Sequence, residues 1–154
     1  MHAYRIELRE IHEGNKDACV RMRVTPDQAQ YIASNEQSLE TARENSAVAR
    51  PFLICSDGEP VGFAMFAFDE EWDDPDDRYW LWRFMIDERL QGRGYGRAAL
   101  EAITAYFRDH GASTITLSTK ENNARALSLY HAFGFRETGE MNDEEIVLRL
   151  KLSF

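Results

Sequence analysis

The sequence has few cysteines and no long apolar run, and both absences narrow the class of protein. No uninterrupted apolar stretch approaches the roughly 20 residues that a helix needs to cross a bilayer, so a membrane protein is not expected. Cys19 and Cys55 are the two cysteines, and they lack a CxxC spacing. We expect reduced thiols in a cytoplasmic protein, with Cys55 buried in a strand. Residues 1–10 carry too many charges for a secretory signal.

Basic residues are outnumbered by acidic ones. The chain has 18 Lys and Arg against 27 Asp and Glu, a net charge of −9, which argues against a nucleic-acid partner. Seven of the acids lie in the acidic segment, residues 69–77, with the sequence DEEWDDPDD. One segment therefore carries most of the excess charge. No His, Cys and carboxylate spacing is typical of a metal site, so no metal is expected.

Length and patterning predict one α/β domain over residues 1–154. The chain is 44% hydrophobic and 12% aromatic, as in a globular protein. Hydrophobic periodicity gives, in order, a strand, two or three helices, three strands, a helix, a strand, a helix and two strands. This order predicts a mixed sheet with helices on both faces. Asp57-Gly58 and Asn142-Asp143 are predicted hairpin turns.

Two helix starts are predicted in the first third of the chain. Thr25 followed by Pro26 indicates an N-cap with proline at the first helical position, for a helix over 26–33. Ser38 is predicted to cap a further helix over 39–49.

Three glycines precede a helix-like run at residues 95–109. Gly92, Gly94 and Gly96 free the backbone to direct N–H groups toward one point at a helix start, an arrangement that suits a phosphate or pyrophosphate. The alternative is a flexible turn with a solvated basic rim. The flanking cations are Arg89, Arg93 and Arg97.

Two common nucleotide motifs fit poorly. No Gly-Lys-Ser/Thr follows, so a P-loop is excluded. A dinucleotide fingerprint can be forced onto Gly94, Gly96 and Ala99, but that fingerprint opens directly from a strand end, and here residues 87–91 intervene.

Two motifs together resemble the GNAT family of N-acetyltransferases. The first is Q/R-x-x-G-x-G/A, formed by Gln91, Gly94 and Gly96. The second is Asn-x-x-Ala-x-x-Leu-Tyr followed by Gly-Phe, which starts at Asn123 and ends at Phe135. The resemblance implies a single-domain α/β fold with a mixed, mostly antiparallel central sheet of about seven strands flanked by helices. It also implies acetyl-CoA as co-substrate.

The resemblance assigns residues to the cofactor and to catalysis. Tyr130 is the implied general acid toward the leaving sulfur; alternatively it is a buried aromatic. An N–H of Met85 or Ile86 would stabilise the oxyanion, although both residues also fit a core strand. Asn123 could bind cofactor or cap its helix. The implied cofactor-binding residues are Phe84, Met85, Ile86, Gln91, Gly92, Arg93, Gly94, Tyr95, Gly96, Arg97 and Asn123.

Longer segments are similar to bacterial spermine/spermidine N-acetyltransferases. These are QYIASNEQSLETA, VGFAMF with the acidic segment, and ENNARALSLYHAFGF. They imply direct attack of a polyamine amine on the thioester in a ternary complex, and a homodimer. Carboxylates with interleaved aromatics suit such a cation. The expected substrate-binding residues are Glu36, Asp69, Glu70, Trp72 and Asp74.

Alternatives and the general base stay open. Another cationic amine, such as an aminoglycoside or a protein amine, would also suit an acidic site, and a non-catalytic acyl-CoA-binding module is the rival from another class. Some eukaryotic relatives carry a basic glutamate on the strand before the glycines, where this chain has Trp82 and Arg83. Glu36, Glu40 or an acid of 69–77 could serve instead. Arg83 is expected to pair with the acidic segment or with Asp87.

Overall fold

A computed structural model describes residues 4–152, in which seven strands form one sheet in the order β1-β2-β3-β4-β5-β7-β6. All neighbouring strands are antiparallel except the parallel pair β4 and β5. The predicted mixed, mostly antiparallel sheet is therefore confirmed. The strands are β1 Ile6–Glu10, β2 Ala49–Ser56, β3 Glu59–Phe68, β4 Tyr79–Ile86, β5 Thr114–Lys120, β6 Arg136–Asn142 and β7 Glu145–Lys151. The helices are α1 Lys16–Arg21, α2 Asn35–Glu44, α3 Tyr95–Asp109 and α4 Ala124–Phe133, with 3-10 turns at Gln28–Gln30, Pro75–Asp77 and Glu88–Leu90.

Helices cover both faces of the sheet, as the apolar alternation of the strands requires. On one face, α3 packs Leu100, Ile103 and Phe107 into the larger apolar core. On the other face, a smaller core joins α1 and α2 to the sheet and contains Cys19 of α1, Met85 of β4 and residues of β2 and β3. Both cysteines are buried, which confirms the expectation for Cys55.

The sheet opens between its two parallel strands. Trp80 and Thr116 are the one register pair between β4 and β5 in the described residues. Just beyond, Leu81 pairs with Phe66 of β3 and Arg83 with Met65, so that Trp82 is an extra residue that forms a bulge. A bulge bends a strand and interrupts its pairing. The C-terminal half of β4 therefore separates from β5, and a gap forms in the middle of the sheet.

Both helix starts predicted in the first third of the chain are wrong. Ser34, not Ser38, caps α2, through a capping box in which Ser34 and Gln37 exchange hydrogen bonds. Ser38 is buried within the helix, and α2 ends at Glu44. Between α1 and α2, Thr25 does accept a hydrogen bond from the Gln28 N–H at 3.3 Å, but only a short 3-10 turn follows. Tertiary packing of this segment outweighs the local helix signal.

Both predicted hairpins are confirmed, although the second turn is formed by Asp143 and Glu144, one residue later than predicted. Asp57 and Gly58 have φ of 51° and 86°, as a type I′ turn requires. Asn142 pairs with Glu145 across the second turn, where Asp143 has φ 54°.

Candidate active site

A cavity of about 480 Å³ occupies the gap between β4 and β5. Its walls come from both sides of the sheet. The glycine turn (residues 92–96) and α4 lie on the face of the larger core, and the segment between α1 and α2 lies on the opposite face. No residue of this last segment was among the predicted site residues. The lining side chains that carry charge or a hydroxyl are Tyr31, Arg83, Tyr95, Arg97, Ser118, Thr119, Arg125, Tyr130 and Glu145.

The glycine turn forms one end of the cavity. Gly92 and Gly94 have φ of 77° and 89°, a left-handed conformation that glycine adopts without the steric cost of a Cβ. Gly94 is the N-cap of α3, so the N–H groups of the first turn have no partner within the helix. Positive potential at this helix end suits the predicted phosphate ligand.

Gly96 is present for a different reason. The sequence indicated that all three glycines free the backbone, but Gly96 has ordinary helical geometry. A Cβ at Gly96 would lie 3.3 Å from Cδ2 of Leu129, tighter than most contacts of that kind. Its lack of a side chain therefore lets α3 approach α4 closely.

The arginines around the turn have different roles. Arg97 lines the cavity, whereas Arg93 does not. The Arg93 carbonyl accepts a hydrogen bond of 2.5 Å from the Tyr4 hydroxyl. The Tyr4 ring lies 4.2 Å from the Tyr95 ring, so the start of the chain braces the turn. Arg89 pairs at 2.7 Å with the buried Asp87. Arg125, within the second motif, also lines the cavity and was not predicted.

Gln91 connects three segments. Its amide nitrogen donates to the Ile86 carbonyl at 2.9 Å and to Gln28 Oε1 at 2.8 Å, and Gln28 donates back at 3.1 Å. The side chain thus holds the turn at 28–30 against the end of β4. This positions the cavity wall.

One hydrogen bond shows which backbone amides of β4 face the gap. The Asp87 N–H donates to the Val61 carbonyl at the end of β3. Backbone groups of alternate residues in a strand point to the same side. The amide of Met85 therefore faces β3, and the amides of Phe84 and Ile86 face the gap.

Tyr130 and Asn123 come from α4 and its start. Tyr130 lines the cavity but is only 9% exposed, and burial raises the pKa of its phenol above the usual value. The ring packs edge-on against Phe135 with centroids 5.5 Å apart. Asn123 accepts a hydrogen bond from the Ala126 N–H at 3.4 Å, so it is the N-cap of α4 and also lines the cavity.

Glu145 is the one carboxylate among the cavity-lining residues of the described chain, and sequence reasoning missed it. Its Oε1 accepts a hydrogen bond of 2.7 Å from the Ser118 hydroxyl on β5. Burial lowers the pKa of the Arg83 guanidinium, and the nearby charge of Glu145 acts in the opposite direction. The expectation that Arg83 pairs with the acidic segment or Asp87 is wrong within residues 4–152: Arg83 donates to the Trp82 carbonyl, while Arg149 pairs with Asp77 and Arg89 with Asp87.

The predicted substrate-binding residues do not line this cavity. Glu36 is exposed on the first turn of α2. In the acidic segment, Asp74 caps the turn at 75–77 and Asp69 accepts the Glu71 N–H, while Trp72 is 54% exposed. Glu70 is exposed. The structure thus keeps the acids of the segment together and outside the gap.

The acidic segment lies on the same face of the sheet as Glu145. Side chains alternate along a strand, so Glu145, Val147 and Arg149 share one face of β7. Arg149 binds Asp77, and Thr116 donates to the Asp76 carbonyl at 2.5 Å. A second depression of about 330 Å³ lies there, lined by Trp72, Asp77, Trp80, Glu140, Met141, Asn142 and Val147.

Comparison with known proteins identifies the family. The acetyltransferase (GNAT) family matches residues 6–135. The chain is 35% identical over 149 residues to spermine/spermidine N(1)-acetyltransferase of Bacillus subtilis (strain 168), covering 94% of this chain and 97% of the relative. It is 31% identical over 125 residues to aminoglycoside N(6')-acetyltransferase type 1 of Stenotrophomonas maltophilia, covering 79% and 78%. The spermidine N-acetyltransferase of Vibrio cholerae, solved with CoA and spermine, shares the fold with a TM-score of 0.71 and 17% identity over 96% and 95% of the chains.

The chain belongs to the acetyltransferase (GNAT) family. It is an acetyl-CoA-dependent N-acetyltransferase, which confirms the class of enzyme and the co-substrate implied by its motifs. In the described residues no helix is long and apolar enough to span a membrane. No group of three or more His, Cys, Asp or Glu in residues 4–152 is placed to hold a metal ion.

Proposed function

We propose that the enzyme transfers the acetyl group of acetyl-CoA to a primary amine of a polyamine, by direct attack in a ternary complex. One observation carries this proposal: Glu145 in the cavity and the acidic segment lie on the same face of the sheet. The polyamine substrates named for the Bacillus subtilis relative support the same substrate class.

The side of the cavity facing α3 and α4 fits acetyl-CoA. Two left-handed glycines, the unpaired amides at the start of α3, and Arg97 and Arg125 supply the donors and positive charge that a pyrophosphate and phosphate need. When bound, acetyl-CoA supplies an acetyl group activated as a thioester. Holding its phosphates at the turn would fix the reactive end within the gap, which is catalysis by orientation.

Strand β4 would contribute the oxyanion donor. Of the two amides left open by the sequence, the Ile86 N–H is favoured because its backbone faces the gap, whereas the Met85 amide faces β3. The Ile86 carbonyl is already held by Gln91, and this contact fixes the orientation of the peptide. A preoriented donor stabilises developing negative charge without reorganising during the reaction.

Tyr130 is the proposed general acid. Because burial raises its pKa, the phenol keeps its proton at neutral pH and can donate to the leaving sulfur. It is a weaker acid than an exposed tyrosine. The transfer therefore depends on close positioning within the cavity rather than on acid strength.

The opposite side of the cavity suits an extended cation. Glu145 lies where β7 begins, and Arg149, four residues further, holds Asp77 of the acidic segment. At ~3.3 Å per residue the two positions are about 13 Å apart. A chain with several ammonium groups can span such a distance, with Trp72 and Trp80 available for cation–π contact.

An amine panel tests the substrate. Thiol release is followed with acetyl-CoA and spermine, spermidine, an aminoglycoside or a lysine peptide, and the highest kcat/KM is expected for a polyamine. A second candidate, an aminoglycoside, is favoured by the similarity to the Stenotrophomonas maltophilia enzyme. A preference for the aminoglycoside or the peptide would refute the polyamine assignment.

Charge variants test the acidic segment. Replacing four exposed acids of the segment by amides should raise the KM for spermine by about tenfold or more, with unchanged acetyl-CoA binding. A control with the same charge change elsewhere should leave KM nearly unaltered. The test acids are Glu70, Glu71, Asp73 and Asp74, and the control acids are Glu13, Asp17, Glu44 and Asp109.

The remaining expectations stay predictions. All strands from Ile6 to Lys151 belong to one sheet, which supports a single acetyltransferase domain over 1–154. A homodimer, checked by light scattering after size exclusion, and a cytoplasmic location are still expected from the resemblance and the composition.

A further inference from the structure

We propose that the Glu145 carboxylate is the general base that takes a proton from the attacking amine, with Ser118 as its positioning residue. This inference rests on the proposed acetylation of an amine. It assigns the one catalytic role that the motifs of the family leave open in this chain.

Charge and location single out Glu145. It is the only Asp or Glu that lines the cavity in the described chain, where Arg83, Arg97 and Arg125 supply the opposite charge. The earlier candidates for the base, Glu36, Glu40 and the acids of 69–77, do not line it. A base must lie within hydrogen-bond reach of the proton that it removes, directly or through one water.

The carboxylate is held in place. Ser118 donates to Oε1 at 2.7 Å, which leaves Oε2 able to accept from a substrate. In the sheet, Lys120 of β5 is the register partner of Glu145. Arg83 approaches from β4. Lys120 and Arg83 thus place positive charge on β5 and β4, beside the carboxylate.

Base and acid lie on opposite sides of the sheet. Glu145 belongs to the face that carries the acidic segment, and Tyr130 lies on α4, which packs against the larger core. An incoming amine and an outgoing sulfur occupy different sides of the carbonyl carbon. The arrangement therefore puts the base beside the nucleophile and the acid beside the leaving group.

The proton balance requires such a base. An alkylammonium with a pKa of about 10.4 must lose one proton to become a nucleophile. Glu145 takes this proton and later releases it to the solvent. The nitrogen then forms the C–N bond, the C–S bond breaks, and the nitrogen loses its second proton to the solvent. Tyr130 gives one proton to the sulfur and regains it from the solvent pool. Amide, thiol and one released proton are the products.

The test compares Glu145→Gln with Glu144→Gln. The glutamine keeps the shape and an acceptor for Ser118 but removes the basicity, and exposed Glu144 provides the same charge change next to it. We expect Glu145→Gln to lower kcat at pH 7 by about 100-fold or more, with CoA affinity by calorimetry within twofold. Glu144→Gln should stay within threefold of wild type.

The pH dependence separates a base from a structural role. Without the base, the rate of Glu145→Gln should rise about tenfold per pH unit between pH 7 and 9, as the free amine increases, whereas wild type changes less. Ser118→Ala should lower kcat by about tenfold and Ser118→Thr should restore it. A kcat within threefold of wild type for Glu145→Gln, or a rise in KM alone, would overturn the proposal.

The amine substrate of this assay is chosen so that the polyamine proposal and the Glu145 proposal can fail independently. The variants are assayed with whichever amine of the panel wild type acetylates fastest. If that amine is not a polyamine, the proposed substrate is refuted while the comparison at Glu145 is still decisive. If spermine is acetylated equally well by Glu145→Gln, the substrate stands and the base assignment falls.

Discussion

Arg149 binds Asp77 at 2.9 Å and so joins the last strand to the acidic segment. The same guanidinium contacts Glu140 at 2.5 Å, and its Nε donates to the Thr116 hydroxyl at 3.2 Å. The Arg149 side chain is 16% exposed, so these contacts are partly shielded from water. The acidic segment is therefore anchored at its C-terminal end on the face that carries Glu145.

Removing this anchor should destabilise the protein. Arg149→Met leaves Asp77 without its cation, and we expect a loss of about 1–3 kcal/mol in the free energy of unfolding by urea. Trypsin should also cut faster after Arg78. Arg9→Met is the matched control, because its pair with Glu7 is about half exposed and should contribute little to stability. Equal losses in the two variants would contradict the anchor.

The glycine turn gives a second prediction with an internal control. Gly94 and Gly111 have nearly equal φ, 89° and 88°, but only Gly94 lines the cavity. Alanine at either position should cost about 1–2 kcal/mol of stability. Only Gly94→Ala should also weaken CoA binding, by about tenfold or more in calorimetry. Comparable CoA affinities for the two variants would argue against phosphate binding at this turn.

Replacing Tyr130 tests the general acid. Tyr130→Phe should lower kcat by about 10²-fold or more while CoA affinity changes little, because only the hydroxyl is lost. Since burial raises the pKa of this phenol, its ionisation should not reduce kcat of wild type below pH ~10. Steady-state rates from pH 7 to 10 check both points. A near-normal kcat for the phenylalanine variant would exclude the role.

Because Cys19 is buried, we expect the protein to lose stability at alkaline pH. Burial raises the pKa of its thiol to about 12, whereas the unfolded thiol has a pKa of about 8.5. The folded state therefore keeps a proton that the unfolded state loses. The free energy of unfolding should fall by up to about 1.4 kcal/mol per pH unit above pH ~8.5.

Cys19→Ala removes this contribution. The stability difference between wild type and the variant should narrow from pH 8 to pH 10.5 in urea titrations. A constant difference would contradict the shifted thiol. A thiol reagent should label wild type slowly until it is unfolded, because the reactive species is the thiolate.

The sequence predicted the parts of the site that are local. The glycine turn, α3 and the start of α4 are each defined by residues within a few positions of one another, so their signals survive without tertiary information. Gln91 and Asn123 were found for the same reason. Even here, the separate role of Gly96 depends on Leu129, which belongs to another helix.

Glu145 and the segment between α1 and α2 depend on long-range structure. Glu145 enters the cavity because β7 pairs with β5 in a register that brings it to Ser118. Nothing near it in the sequence marks it as functional. Thr25 was predicted to cap a helix, but only a 3-10 turn follows, in a segment where Gln28 and Tyr31 form hydrogen bonds with the distant residues Gln91 and Asn122.

The gap between β4 and β5 leaves a sheet with an internal edge. Peptide groups at Phe84 and Ile86 lack a neighbouring strand, a condition that normally invites pairing with another chain. A ligand lying along this edge would shield it and would favour the folded state in proportion to the logarithm of its concentration. The enzyme without acetyl-CoA should therefore aggregate more readily on heating than the enzyme with it. Added cofactor should slow aggregation during storage.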